Sequence, residues 1–256
     1  MKNFKTFFLG ILAFTLTIPV TVNAQEEESS AGIDGGVDLY SSYIWRGSKF
    51  GSGPALQPWL EGTAGGFAIG AWGSVNASTD ESLEMDLYVS YSFDFGLSLG
   101  VNDYYFGGDW TSFSTSHYIE PMASFEIGNF TLTGAYMLLA GADAIEAVDA
   151  VPASVDLATG IITPAVEGIE GADAVDFGSE GDVYLELGYS FKSLDIALGA
   201  GNGQYISEDD DFMLCNITIG TSKEIKITDN YSLPVSAAVT LNPSTGGFFI
   251  YAGISF

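Results

Sequence analysis

The chain predicts an all-β fold, an antiparallel transmembrane β-barrel of about twelve strands, and three features carry that expectation. Short segments alternate apolar and polar residues with a period of two from Val37 onward. The connectors between those segments alternate long and short. The last segment, Phe248 to Phe256, is itself a strand that finishes on an aromatic side chain. In a membrane barrel that strand has a partner, because it pairs with the first strand and removes both sheet edges.

Each element follows from its alternation. Val37, Leu39, Ser41, Tyr43 and Trp45 share one face and Asp38, Tyr40, Ser42, Ile44 and Arg46 the other, which predicts one strand over 37–46. In the second segment, 55–63, Leu56, Pro58 and Leu60 oppose Gln57, Trp59 and Glu61. The third, 67–76, sets Phe67, Ile69, Ala71 and Val75 against Trp72, Ser74 and Asn76. The fourth, 83–93, is unbroken, with Leu87 and Val89 opposing Glu84, Asp86 and Tyr88. The same period runs through 95–105, 113–125, 130–138, 182–191, 194–200, 212–227, 232–241 and the closing strand. No stretch has helical spacing. Pro58, Pro121 and Pro234 fall inside these strands, where a missing N–H requires a bulge or a strand end.

The connectors set the topology. Residues 47–54, 77–82, 106–112, 139–181 and 201–211 are long, whereas 64–66, the turn at Asp94, 126–129, Lys192-Ser193 and 228–231 are short. Short turns are expected on the periplasmic side with both termini, and long loops outside. The acidic, alanine-rich insertion 139–181 contains no Lys or Arg and is expected to be a solvated loop, with a lid over the mouth as the alternative.

Lys2 and Lys5, the apolar run Phe7 to Ile18 and the small-residue pattern Val22-Asn23-Ala24 predict a cleaved signal peptide over 1–24. The barrel is then expected over 25–256, in the outer membrane of a Gram-negative bacterium. A net charge of −26 excludes nucleic acid as a partner, since phosphate binding needs a basic surface. Cys215 is the only cysteine, so no disulfide framework contributes.

With the apolar faces toward lipid, the other faces line a lumen. Asp38, Tyr40, Arg46, Trp59, Glu61, Trp72, Glu84, Asp86, Tyr88, Tyr104, Tyr118, Glu120, Asp182, Tyr184 and Glu186 are the lumen candidates, accompanied by Gln57, Asn76 and Asn102. Carboxylates and phenols around one arginine fit a cation-favouring passage for small solutes; the alternative is a plugged barrel whose polar groups satisfy one another. Arg46, the only arginine, is expected at the outer end of strand one, pairing with Glu84 and Asp86 across the mouth or with Glu61. His117, the only histidine, is expected to face outward. A lipid-active enzyme would need His117 to engage a serine such as Ser114 or Ser116, but Ser116 has the opposite parity and no acid shares the His117 face in its own strand. No catalytic residue, metal or cofactor is expected, and the acidic run Glu208 to Asp211 reads as a solvated loop. The expected partners are outer-membrane lipid, small solutes and, through Phe256, the barrel-assembly machinery.

Ser42-Tyr43-Ile44-Trp45-Arg46-Gly47, Gln57-Pro58, Gly70-Ala71-Trp72-Gly73-Ser74, Asp103-Tyr104-Tyr105, Glu186-Leu187-Gly188-Tyr189 and Leu241-Asn242-Pro243 resemble the TorF-type porins of Gram-negative, especially Bacteroidota, outer membranes. The resemblance covers nearly all of the chain after the signal peptide except 139–181, and it implies an outer-membrane barrel with a pore role. The insertion departs from that family's pattern.

Overall fold

The computed structural model describes residues 31–76, 83–141, 154–155, 162–163, 179–206, 212–229 and 231–256. The segment 1–24 expected to be a signal peptide, most of the 139–181 insertion and Glu208 to Asp211 lie outside the described residues. Twelve strands form one closed barrel. They are β1 Gly32–Tyr40, β2 Ala55–Ala64, β3 Phe67–Asn76, β4 Glu84–Ser92, β5 Leu97–Tyr105, β6 His117–Ile127, β7 Phe130–Tyr136, β8 Val183–Ser190, β9 Asp195–Gly201, β10 Met213–Lys226, β11 Ser232–Asn242 and β12 Gly247–Ser255. Each pairs antiparallel with its sequence neighbour, and β12 returns to β1.

The barrel is inside out relative to a soluble domain. Leu60, Ile69 and Ile250 are 58%, 64% and 71% exposed, while Glu61, Trp72 and Tyr251 on the opposite faces of the same strands are 8%, 3% and 6% exposed. Lipid, not water, suits such an apolar wall. Beside the short turns the wall carries paired aromatics, Phe67 with Tyr91 at 4.6 Å, Tyr91 with Phe93 at 4.8 Å and Phe130 with Tyr189 at 4.6 Å between ring centroids. Such a girdle marks a membrane interface.

The structure corrects the first predicted strand. β1 stops at Tyr40, and after a bend at Ser41-Ser42 the chain forms a separate two-stranded hairpin, Tyr43–Trp45 with Ser48–Phe50. Alternation continues through the bend, so periodicity alone could not reveal the break. At 113–116 a four-residue helix replaces the start of the predicted sixth strand; it follows a turn at Asp109, whose carboxylate accepts from the Thr111 hydroxyl and N–H and is thereby held below its ordinary pKa.

The prolines find the defects they need. Pro121 keeps register with Val101 of β5, but toward β7 Met122 pairs with Ala135 whereas Ile119 bridges Leu139, a one-residue offset. At Pro58 the β2–β3 ladder lapses between the Leu56–Val75 and Trp59–Trp72 pairs. Pro234 precedes the first β11–β12 pair, Val235 with Ile254.

Closure rests on a short seam. Asp38, Leu39 and Tyr40 pair with Ser255, Ile254 and Gly253, and Val37 and Phe256 exchange two backbone hydrogen bonds of 3.2 and 3.0 Å. Deleting Phe256 removes both of those bonds from the seam. The truncated protein is therefore expected to leave the cytoplasm normally yet to lose most of its folded outer-membrane population, measured by fractionation and heat-modifiable gel mobility. Normal insertion of the truncated chain would refute a role for Phe256 in assembly.

Candidate functional site

The hairpin that leaves β1 folds into the barrel. Its turn, Arg46-Gly47, has positive φ at both central residues, 47° and 87°, the pattern of the tight turns that match strand twist. Arginine is strained there and glycine is not. A side chain at Gly47 would collide with the Cys215 carbonyl oxygen of the wall, so the turn seats against β10 only because that residue is glycine.

The hairpin reaches the wall on several sides. Tyr43 packs on Trp72 of β3 at 5.5 Å and donates its hydroxyl to Glu84 of β4 at 3.2 Å. Trp45 meets Tyr104 of β5 at 6.0 Å, edge to face. On the opposite side Ile44 is buried against Ala238 of β11 and Tyr251 of β12. Tyr43, Ile44, Trp45 and Arg46 are all buried, and together they fill the lumen at the end that carries the long connectors.

Arg46 is the centre of this arrangement. Its guanidinium donates to both carboxylate oxygens of Glu120 on β6, at 2.6 and 2.9 Å, and to the Tyr205 hydroxyl at 2.7 Å. The planar fork matches a carboxylate, which is why arginine and not lysine suits the position. The guanidinium carbon lies 4.5 Å from the Trp45 ring centre and 4.6 Å from that of Tyr184 on β8. Glu120 is held in turn by the Tyr104 hydroxyl at 2.7 Å, and Tyr184 accepts from Asn216 at 3.0 Å. Tyr205 arrives on a single 3-10 turn, Gly203–Tyr205, which is fixed by Asp182 accepting the N–H of Gln204 within the turn. Ion pair and cage are fully buried.

Glu61, Trp72, Glu84, Asp86, Tyr88, Tyr104, Tyr118, Glu120, Asp182, Tyr184 and Glu186 are buried within the barrel, and Asp38, Tyr40 and Trp59 are half-buried. Arg46 is not on strand one and does not pair with Glu84, Asp86 or Glu61; the bend at Ser41-Ser42 carries it to Glu120 instead. Tyr43 and Trp45, read as lipid-facing, are inside for the same reason. Cys215 and Asn216 are adjacent yet both buried, because a bulge opposite Gly199-Ala200 inserts one residue and breaks the alternation. Neither they nor Tyr205 were legible. The clue that was available is the Arg-Gly pair between two short alternating aromatic segments.

His117 lies on the outer-wall side, as its parity predicts, but it is not exposed. Asp103 of the neighbouring strand binds its Nδ1 at 2.8 Å, Nε2 lies 3.0 Å from the Trp110 carbonyl, and Phe113 stacks on the ring at 4.3 Å. No acid on its own strand shares its face; the acid comes from β5. With both nitrogens engaged, the ring has no lone pair directed at a serine. Its role here is to hold the 106–116 loop against the wall.

The profile of a family described as "Bacterial protein of unknown function (Gcw_chp)" matches residues 24–228. Among solved structures, Pseudomonas aeruginosa OccK5 (OpdH) aligns at TM-score 0.36 and 11% identity over 88% of this chain and 66% of its own, so this chain spans just under two thirds of that length. A triple mutant of the Rhodopseudomonas blastica porin aligns at TM-score 0.34 and 10% identity over 89% of this chain and 99% of its own. No curated protein matches the sequence.

Proposed function

Because the chain belongs to the Gcw_chp family, whose description assigns no activity, we propose a function from the geometry: an outer-membrane channel for small solutes, favouring cations and closed at rest by the Tyr43–Phe50 hairpin. The observation that carries this reading is what fills the lumen. A barrel too narrow to conduct is filled by side chains of its own strands. Here the outer lumen admits two further strands of backbone, anchored at the tip by one ion pair. A lumen with a removable occupant suits gated passage.

The charge of the interior supports cation preference. Glu61, Glu84, Asp86, Glu120, Asp182 and Glu186 are buried, and Arg46, already committed to Glu120, is the buried cation among the described residues. Asp86 Oδ1 has no hydrogen-bond donor. Once the hairpin leaves and water enters the lumen, these carboxylates ionise, raise local cation concentration and oppose anions, most strongly at low salt. Reversal potentials across a salt gradient, measured on protein with the hairpin unseated, should show cation preference that shrinks as salt rises. Changing Glu84 and Asp86 together to their amides should lower the cation-to-anion permeability ratio by roughly two-fold or more, and neutralising Asp209 to Asp211 should change it less. Anion preference would refute the proposal.

Catalysis forms no part of this reading, since the ring of His117 is committed at both nitrogens. The second reading, a permanently plugged interaction barrel, is favoured by the hairpin's contacts with walls on opposite sides of the lumen. Planar-bilayer recording separates the two: openings of the intact protein support the gated channel, whereas conductance seen only after deletion of residues 42–51 supports the permanent plug.

A further inference from the structure

We propose that the cage around Arg46 is a binding site for guanidinium-bearing solutes, occupied at rest by the protein's own arginine and opened when such a solute takes its place. The inference rests on the channel reading and names the solute class it would admit.

Apart from Trp45, every group the guanidinium touches belongs to the barrel or to the turn at Tyr205. Glu120 presents both oxygens as an acceptor fork, Tyr104 and Tyr205 orient that fork, and Tyr184 offers a ring face. These groups are tied to the wall by bonds that do not involve Arg46, including Tyr104 to Glu120 and Asn216 to Tyr184. The cage therefore keeps its shape when the hairpin departs. A paired acceptor beside an aromatic face is selective for a planar, delocalised cation over a compact ammonium.

Arg46 is an imperfect occupant. Its backbone is held at φ 47°, a conformation side-chain-bearing residues rarely adopt. Its Nε–H is buried with no acceptor. A free guanidinium solute carries neither defect, whereas Arg46 has the advantage of its tether. Those costs offset one another, so millimolar solute can compete. Cys215 reports the outcome, because its thiol is buried in the same cluster and its carbonyl supports the hairpin tip at Gly47.

The experiment uses the full-length protein in detergent micelles and follows alkylation of Cys215 by a small neutral maleimide. L-arginine amide at tens of millimolar is expected to speed alkylation at least about five-fold, while L-lysine amide, of equal charge, changes it little. Glu120→Gln is expected to label fast without solute and to lose the response. In Arg46→Ala the cage is vacant, so calorimetry should detect arginine amide but not lysine amide; Arg46→Lys, which keeps the charge, is the second variant should alanine destabilise the barrel. Equal effects of the two amides, or no effect of arginine amide on labelling together with no calorimetric binding, overturn the proposal. Solute-dependent labelling in a protein that never conducts retains the binding site and refutes the channel.

Discussion

Replacing Gly47 with valine is expected to unseat the hairpin and open the barrel, raising the alkylation rate of Cys215 and the bilayer conductance by at least about ten-fold. Two independent causes act at this one residue. The backbone has φ 87°, a region closed to a β-branched side chain. In addition, the new Cβ would overlap the Cys215 carbonyl oxygen, a backbone atom of the closed sheet that cannot swing aside. The hairpin can relieve the clash by leaving the lumen, since none of its strands belongs to the barrel ladder. Folded barrel, judged by heat-modifiable mobility, should persist. Unchanged conductance with an intact barrel would refute gating by this hairpin.

The second expectation concerns the Arg46–Glu120 pair. Glu120→Gln leaves a fully buried guanidinium facing a neutral amide, and losing one partner of a buried ion pair costs about 3–5 kcal/mol. Because the hairpin's strands form a sheet separate from the barrel, that loss falls on its docking, and the hairpin should spend most of its time undocked. Arg46→Met removes the charge and keeps the stem packed on Trp45 and Tyr184, and because Glu120 retains the Tyr104 and Tyr205 hydroxyls as donors its effect should be smaller. The double variant Arg46→Met, Glu120→Gln should open less than Glu120→Gln alone, because no uncompensated charge remains. Opening free energies from Cys215 labelling close this cycle. Additive effects would show that the pair does not hold the plug.

How much of this was legible follows from which interactions are local. Strand existence, order and facing were readable because the side-chain period of two repeats in every segment and lipid demands an apolar outer face. The lumen candidates on β2 to β8 followed from the same parity. Three places escaped it: at Cys215 a bulge adds one residue and reverses facing, at Phe113 a polar turn winds a strand start into a helix, and at Tyr43 and Trp45 a bend turns the chain inward. His117 keeps the face that parity predicts, but its acid partner comes from the adjacent strand.

Arg46 shows the division most sharply. By itself the sequence determined that a single arginine sits among many carboxylates, that the strands alternate, and that short and long connectors take opposite ends of a barrel. Which carboxylate the arginine meets was decided only in three dimensions, by closure of β1 on β12, by a bend at Ser41-Ser42 that alternation does not record, and by a glycine that lets the turn touch the wall. Alternation encodes which face a residue takes, whereas the partner across a lumen depends on how the whole sheet closes.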